Sequence, residues 1–271
     1  MDAWTILLPA LLMSTLMLIS HTYFGLHVLE RGIIFVDLAL AQIAALGVSI
    51  AFLLGAEPHG LTSQLYAFIA TLLAAFAFAG LRRIEGKTTR EVIIGCCYVV
   101  TTALSVVILS RSAQGMEELK SLFNGNILWV RWQEIILVAC VYSLLGLLHW
   151  LYRKKFIALS FISEQPAPGF MWEFLFFASF AVVITLAVNI AGILLVFAYL
   201  IIPAFSASLL CDSLWKRLFI GWILGLVGTM AGLWLSFISD FPVGATIVSV
   251  TGLLPLLAMI LKYSVYKKYV P

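Results

Sequence analysis

Residues 174–210 read FLFFASFAVVITLAVNIAGILLVFAYLIIPAFSASLL, an apolar stretch without one charged side chain. About 20 predominantly apolar residues suffice to cross the hydrocarbon core of a bilayer as a helix. The stretch therefore holds two crossings run together, 174–188 and 191–210, with a break expected near Asn189. Lipid offers no partner to backbone amides, so a spanning segment must satisfy them internally. A closed barrel would show alternating segments of about ten residues. The continuous runs here predict helices.

Outward from this stretch the pattern repeats. Apolar runs of spanning length cover 4–29, 33–54, 64–81, 92–109 and 135–151 on one side, and 218–238 and 245–261 on the other. With the central pair this makes nine, or eight plus a half-helix, in a single transmembrane domain over residues 1–271. Composition agrees: 63% of the 271 residues are hydrophobic and 11% charged, with a mean hydropathy of +1.10. A soluble domain has about 45–50% apolar and about 25% charged residues. A soluble enzyme, a nucleic-acid binder and a large attached domain are all excluded. The first run is longer than the 7–15 residues of a signal-peptide core and has no basic flank, so it reads as a true span.

Lys and Arg set the orientation. In the nine-span arrangement one face collects Arg31, Arg82, Arg83, Lys87, Arg90, Arg153, Lys154, Lys155, Lys216, Arg217, Lys262, Lys267 and Lys268, and the other only Arg111, Lys120 and Arg131. The N-terminus is expected outside and the C-terminus in the cytoplasm. Trp129, Trp132, Trp172 and Trp215 lie near span ends, where amphipathic rings sit at the lipid interface. The outer loop 110–134 carries Met116, Leu119, Leu122 and Phe123 at a spacing that predicts a short amphipathic surface helix.

Few residues carry chemistry. Gly86-Lys87-Thr88 imitates the end of a phosphate-binding loop, but Leu81 stands where the pattern requires its first Gly, and no strand precedes it. The four cysteines form no C-x-x-C pair and read as helix-packing residues. No Ser/His/Asp, Cys/His or H-E-x-x-H arrangement occurs, so intramembrane catalysis is not expected. Asp37 is the one acidic residue well inside a span. A carboxylate there costs roughly 2.5–3.5 kcal/mol on insertion scales and marks a polar pathway or a structural pair, here with Arg31 or a neighbouring helix. Gln42 lies five residues on, rotated by about 140°, so the two share a ligand only if the helix is locally distorted. His21 in the first span falls at a depth between them. A His, a carboxylate and an amide at one level would bind a borderline divalent cation weakly. His27 and His149 read as interfacial, and His59 with Glu57 as an outer-loop pair. Gly221, Gly225, Gly228 and Gly232 form a close-packing face, within a subunit or between two. Pro203 is expected to kink its span ahead of a short helix across the cytoplasmic face.

An ordered set of motifs carries a family resemblance from about Leu26 to Leu261. It comprises Arg31 with Asp37-Leu38-Ala39 and Gly47-Val48; Arg90-Glu91-Val92-Ile93-Ile94-Gly95; Leu122-Phe123-Asn124-Gly125-Asn126-Ile127-Leu128; Gly192-Ile193-Leu194-Leu195-Val196 with Leu200-Ile201-Ile202-Pro203-Ala204; and Asp240-Phe241-Pro242-Val243-Gly244. The chain resembles the membrane permease subunits of the bacterial ABC importers for zinc, manganese and iron (the ABC-3 family), relatives of the cobalamin and siderophore permeases.

The resemblance implies a homodimer in the inner membrane, two cytoplasmic ATPase subunits, and an extracytoplasmic protein delivering the metal. It implies a divalent ion (Zn, Mn or Fe) as substrate rather than resident cofactor, moving along the dimer axis, and no enzymatic activity on this chain. Ala204, Phe205, Ser206, Ala207, Ser208, Leu209 and Leu210 would be the element docking in the ATPase. Asp37 matches the family's Asp ligand. The family's His four residues later is Ala41 here, and counting back from Gly47 puts Gln42 in its place with one residue inserted. The expected metal-contacting set is Asp37, Gln42 and His21. A permease for a metal chelate, or an ion-coupled secondary carrier, are the alternative readings.

Overall fold

The structure, a computed structural model, describes residues 3–57, 60–84, 86–111, 117, 120, 123, 125, 127–161 and 168–269. His59 and most of the expected surface helix, with Met116, Leu119 and Leu122, lie outside the described residues. The helices are α1 (Ala3–Arg31), α2 (Val36–Leu53), α3 (Leu61–Gly80), α4 (Lys87–Leu109), α5 (Trp132–Leu151), α6 (Arg153–Phe161), α7 (Phe170–Leu210), α8 (Leu214–Ser239), α9 (Val243–Thr251) and α10 (Leu254–Tyr269). Two 3₁₀ turns, Leu81–Arg83 and Ile127–Trp129, complete the described elements. Eight helices are long and apolar enough to cross a membrane, counting α7 once and joining α9 to α10.

Helix α7 decides the topology. Gly192 interrupts it with φ 75° and ψ 163°. Phe180 stacks on Phe24 at 4.8 Å, and the Leu200 carbonyl lies against Gly25, next to Phe24 in sequence. Twenty residues of straight helix would separate Phe180 from Leu200 by about 30 Å. The chain therefore folds back at Gly192. Along α1 from Phe24 to Arg31, the partners on the first limb run backwards, from Phe180 through Phe176 to Glu173. On the second limb, Tyr199 lies beside Ser14 and Ala204 against Gly25, so the order runs forwards. The two limbs are antiparallel and each traverses the bundle, which makes nine traverses from eight long helices. The break sits at Gly192 rather than Asn189, because a φ of 75° suits a residue without Cβ. Gly125, itself at φ 60°, wedges against this elbow; a Cβ there would fall 2.0 Å from the Ala191 carbonyl carbon.

Pro203 does not end its helix, which continues to Leu210. Pro is tolerated in membrane helices because neighbouring groups re-satisfy the freed carbonyl. The glycine stripe of α8 packs within the subunit: Gly221 against Thr22 and Pro203, Gly225 against Leu18, Gly228 against Thr251 and Gly232 against Ile247. A central cluster of Met13, Met17, Phe24, Phe176, Phe180 and Ile184 ties α1 to the first limb. One end of the bundle collects the basic residues and their contacts. Lys87 Nζ donates to the Glu30 carbonyl at 3.0 Å, Arg82 to the Pro168 carbonyl, and Arg217 lies 3.5 Å from Glu30.

Candidate translocation site

Helix α2 begins at this basic end. The Phe35 amide donates to Glu91 Oε1 of α4 at 2.9 Å, which fixes the start of α2 against α4. Asp37 lies in the first turn, 1% exposed, and neither carboxylate oxygen has a hydrogen-bond partner among the described residues. Its position near the helix N-terminus favours a negative charge. Even so, a buried carboxylate without donors is costly, and buried charges are ordinarily paired or bind a cation.

Arg31, the expected structural partner, is engaged elsewhere. It donates to Glu173 at the start of α7, with its guanidinium 4.9 Å from the Phe176 ring centre and 5.0 Å from that of Phe177. The separation of 142 positions hid this pair from sequence reasoning.

Gln42 is 1% exposed and its Nε2 has no partner. Helix α2 is regular α-helix throughout, so Gln42 stands about 7.5 Å from Asp37 along the axis and about 140° around it. The distortion that would make the two converge is absent. His21, on α1, is fully buried. Its Nδ1–H donates to the Met17 carbonyl at 2.7 Å, which leaves the Nε2 lone pair without a partner. Helix α1 packs on α5, α7 and α8, whereas α2 packs among α3, α4 and α7. Among the described residues no three His, Cys, Asp or Glu side chains assemble as a metal site. Asp37, Gln42 and His21 are thus three buried polar groups, two on α2 and one on α1, each with an atom that has no hydrogen-bond partner among the described residues.

His27 and His149 are buried, not interfacial. Ser179 Oγ donates to the Phe176 carbonyl at 2.9 Å, so it must accept from His149 Nε2–H at 2.8 Å. His149 Nδ1 then accepts from the Tyr23 hydroxyl at 3.0 Å, and the ring stacks on Phe156 at 3.8 Å. Both nitrogens are committed, which makes His149 a structural group tying α5 to α1 and α7. His27 Nδ1 meets Ser160 Oγ of α6 at 2.7 Å. Nothing in the local sequence around either residue signals these partners.

The segment from Ala204 to Leu210 forms the last turns of the second limb instead of a separate helix across the face. Ala204, Ser206 and Ala207 are buried, Ser208 and Leu209 are half-buried, and Phe205 and Leu210 are exposed. The turn after it is held by Arg217 Nε, which donates to the Cys211 carbonyl at 2.8 Å. This end of the bundle therefore presents a fixed apolar edge beside Asp212, Trp215 and Lys216.

Among the described residues, nine antiparallel traverses and a buried carboxylate without a hydrogen-bond partner make a polytopic membrane protein of the permease kind. The ABC 3 transport family model matches residues 3–262, and the chain belongs to that family. A probable iron transport system membrane protein of Haemophilus influenzae is 27% identical over 259 residues, covering 94% of this chain and 89% of the relative. The manganese transport system membrane protein MntC of Listeria monocytogenes is 27% identical over 266 residues, covering 95% and 91%. Among solved structures, PsaBC from Streptococcus pneumoniae superposes with a TM-score of 0.76 at 23% identity, covering 95% of this chain and 92% of that one. At that identity the likeness speaks for the fold.

Proposed function

We propose that this chain, as a single transmembrane domain, is the permease subunit of an ABC importer for divalent metal ions in the bacterial inner membrane. The match of the family model across nearly the whole chain carries this reading, and the iron and manganese transport relatives support the substrate class. Two copies would pair around a central path. The basic end would face the cytoplasm, which leaves the N-terminus outside and the C-terminus inside. ATP hydrolysis belongs to a separate subunit, for which the edge from Ala204 to Leu210 is the docking surface. An extracytoplasmic binding protein would load zinc, manganese or iron from the other side.

Asp37 is the residue that would meet the cation. Its unpaired oxygens supply negative charge in a low-dielectric setting, where a divalent ion replaces the missing donors. Gln42 and His21 would each add a single neutral donor at another depth, so that the ion is held weakly at each and passes on. Weak, sequential binding suits transport, since an ion that enters must also leave.

The test is uptake into proteoliposomes that contain the chain and its ATPase, with the binding protein supplied on the opposite face. Uptake of free Mn²⁺ or Zn²⁺ is expected only with ATP inside the ATPase compartment, and excess chelate should not compete. Transport by the chain alone, or collapse with a protonophore while ATP remains high, would sink the proposal.

A further inference from the structure

A groove between α1, α5 and α8 carries a second site. It has a volume of about 270 Å³ and is lined by Tyr23, Tyr142, Gly146, Trp150, Arg153 and Trp222, among others. It runs from mid-bundle, at Tyr142, to the basic end, at Arg153. Eleven residues of helical rise make that about 16 Å. Such an elongated apolar groove can take a hydrocarbon chain laid along it.

Gly146 stands open on the groove. A Cβ built there meets no atom within 4 Å. Glycine in a helix interior costs about 1 kcal/mol relative to Ala, and in membrane helices it normally permits close packing. At Gly146 nothing packs within the chain, so the missing side chain leaves open space. The mouth is cationic: Arg153 lies 5.4 Å over the Trp150 ring and has no acidic partner among the described residues, with Lys154 and Lys155 following it. Trp150 and Trp215 flank the mouth at 58% and 57% exposure. Aromatic rings beside a basic residue are the side chains that settle at the lipid headgroup level.

We propose that this groove binds an anionic phospholipid, its acyl chain lying over Gly146 and its phosphate paired with Arg153. The apolar length and the positive mouth match the acyl chain and the headgroup of such a lipid in order.

Native mass spectrometry of the purified full-length chain with its ATPase, titrated with phosphatidylglycerol and with phosphatidylcholine, tests this. The wild-type chain should retain phosphatidylglycerol selectively. Arg153→Gln should weaken that retention about fivefold, the effect of one basic residue near an anionic surface. Gly146→Leu fills the groove and should abolish retention, whereas Gly146→Ala should keep it. Both Gly146 variants favour helix, so an unchanged or raised melting temperature shows that the fold persists. Equal binding of the two lipids, wild-type retention in Gly146→Leu, or a lower subunit stoichiometry in Gly146→Leu would overturn the proposal. The last result would mean that a second copy of the chain fills the groove.

Discussion

Glu173 and Asp37 are both carboxylates buried within the helical bundle, at 6% and 1% exposure. Glu173 receives the Arg31 guanidinium, which is itself sandwiched near Phe176 and Phe177. Asp37 receives no hydrogen bond among the described residues. The first arrangement joins the end of α1 to the start of α7 through an ion pair, with Arg31 Nη1 left without a hydrogen-bond partner among the described residues. The second leaves a carboxyl group without a partner among the described residues at the start of α2. Satisfied charge holds a structure together, and unsatisfied charge is available to a cation. The assignment of Asp37 to transport rests on this contrast.

Breaking the pair has the largest expected effect. Glu173→Ala leaves Arg31 buried and alone, so thermal unfolding in detergent should report a loss of about 3–5 kcal/mol. Replacing both partners with apolar residues of similar volume should recover most of it. A loss below about 1 kcal/mol in the single variant would remove the structural side of the contrast.

Next come the close approaches that set the limbs of α7. A Cβ on Gly25 would lie 1.9 Å from the Leu200 carbonyl oxygen. Gly25→Ala should therefore cost about 1–3 kcal/mol by overpacking, measured the same way. Gly192→Ala places a side chain at φ 75° and should cost about 1–3 kcal/mol. Asn189 is exposed and three residues from the elbow. Asn189→Ala should shift stability by no more than about 0.5 kcal/mol. Equal losses for Asn189→Ala and Gly192→Ala would return the break to the position read from sequence.

The helices themselves were legible because hydrocarbon permits so little else: long apolar runs separated by basic loops leave one architecture. The two limbs of α7 could be counted from the length of residues 174–210 alone. Their elbow was misplaced because polarity pointed to Asn189, while backbone geometry chose Gly192; the Gly-Ile-Leu-Leu-Val motif beginning at Gly192 was the available signal. Pro203 was read by its local chemistry as the end of the span, yet the helix runs on through it to Leu210. The site was legible only in part. Asp37 stood out because charge is rare in a span. Arg31 with Glu173, and His149 with Tyr23 and Ser179, depend on contacts between distant segments, which no local pattern encodes.

The central claim is that the unpaired charge on Asp37 serves the ion and not the fold. Asp37→Asn keeps the shape and removes the charge. Reconstituted with the ATPase, this variant should lose ATP-dependent uptake of Mn²⁺ or Zn²⁺ by at least about tenfold, corresponding to 1.4 kcal/mol or more. Its melting temperature should match or exceed that of the wild type, since the buried carboxylate itself is costly. Wild-type uptake by Asp37→Asn, or a fold weakened to the degree expected for Glu173→Ala, would contradict the account.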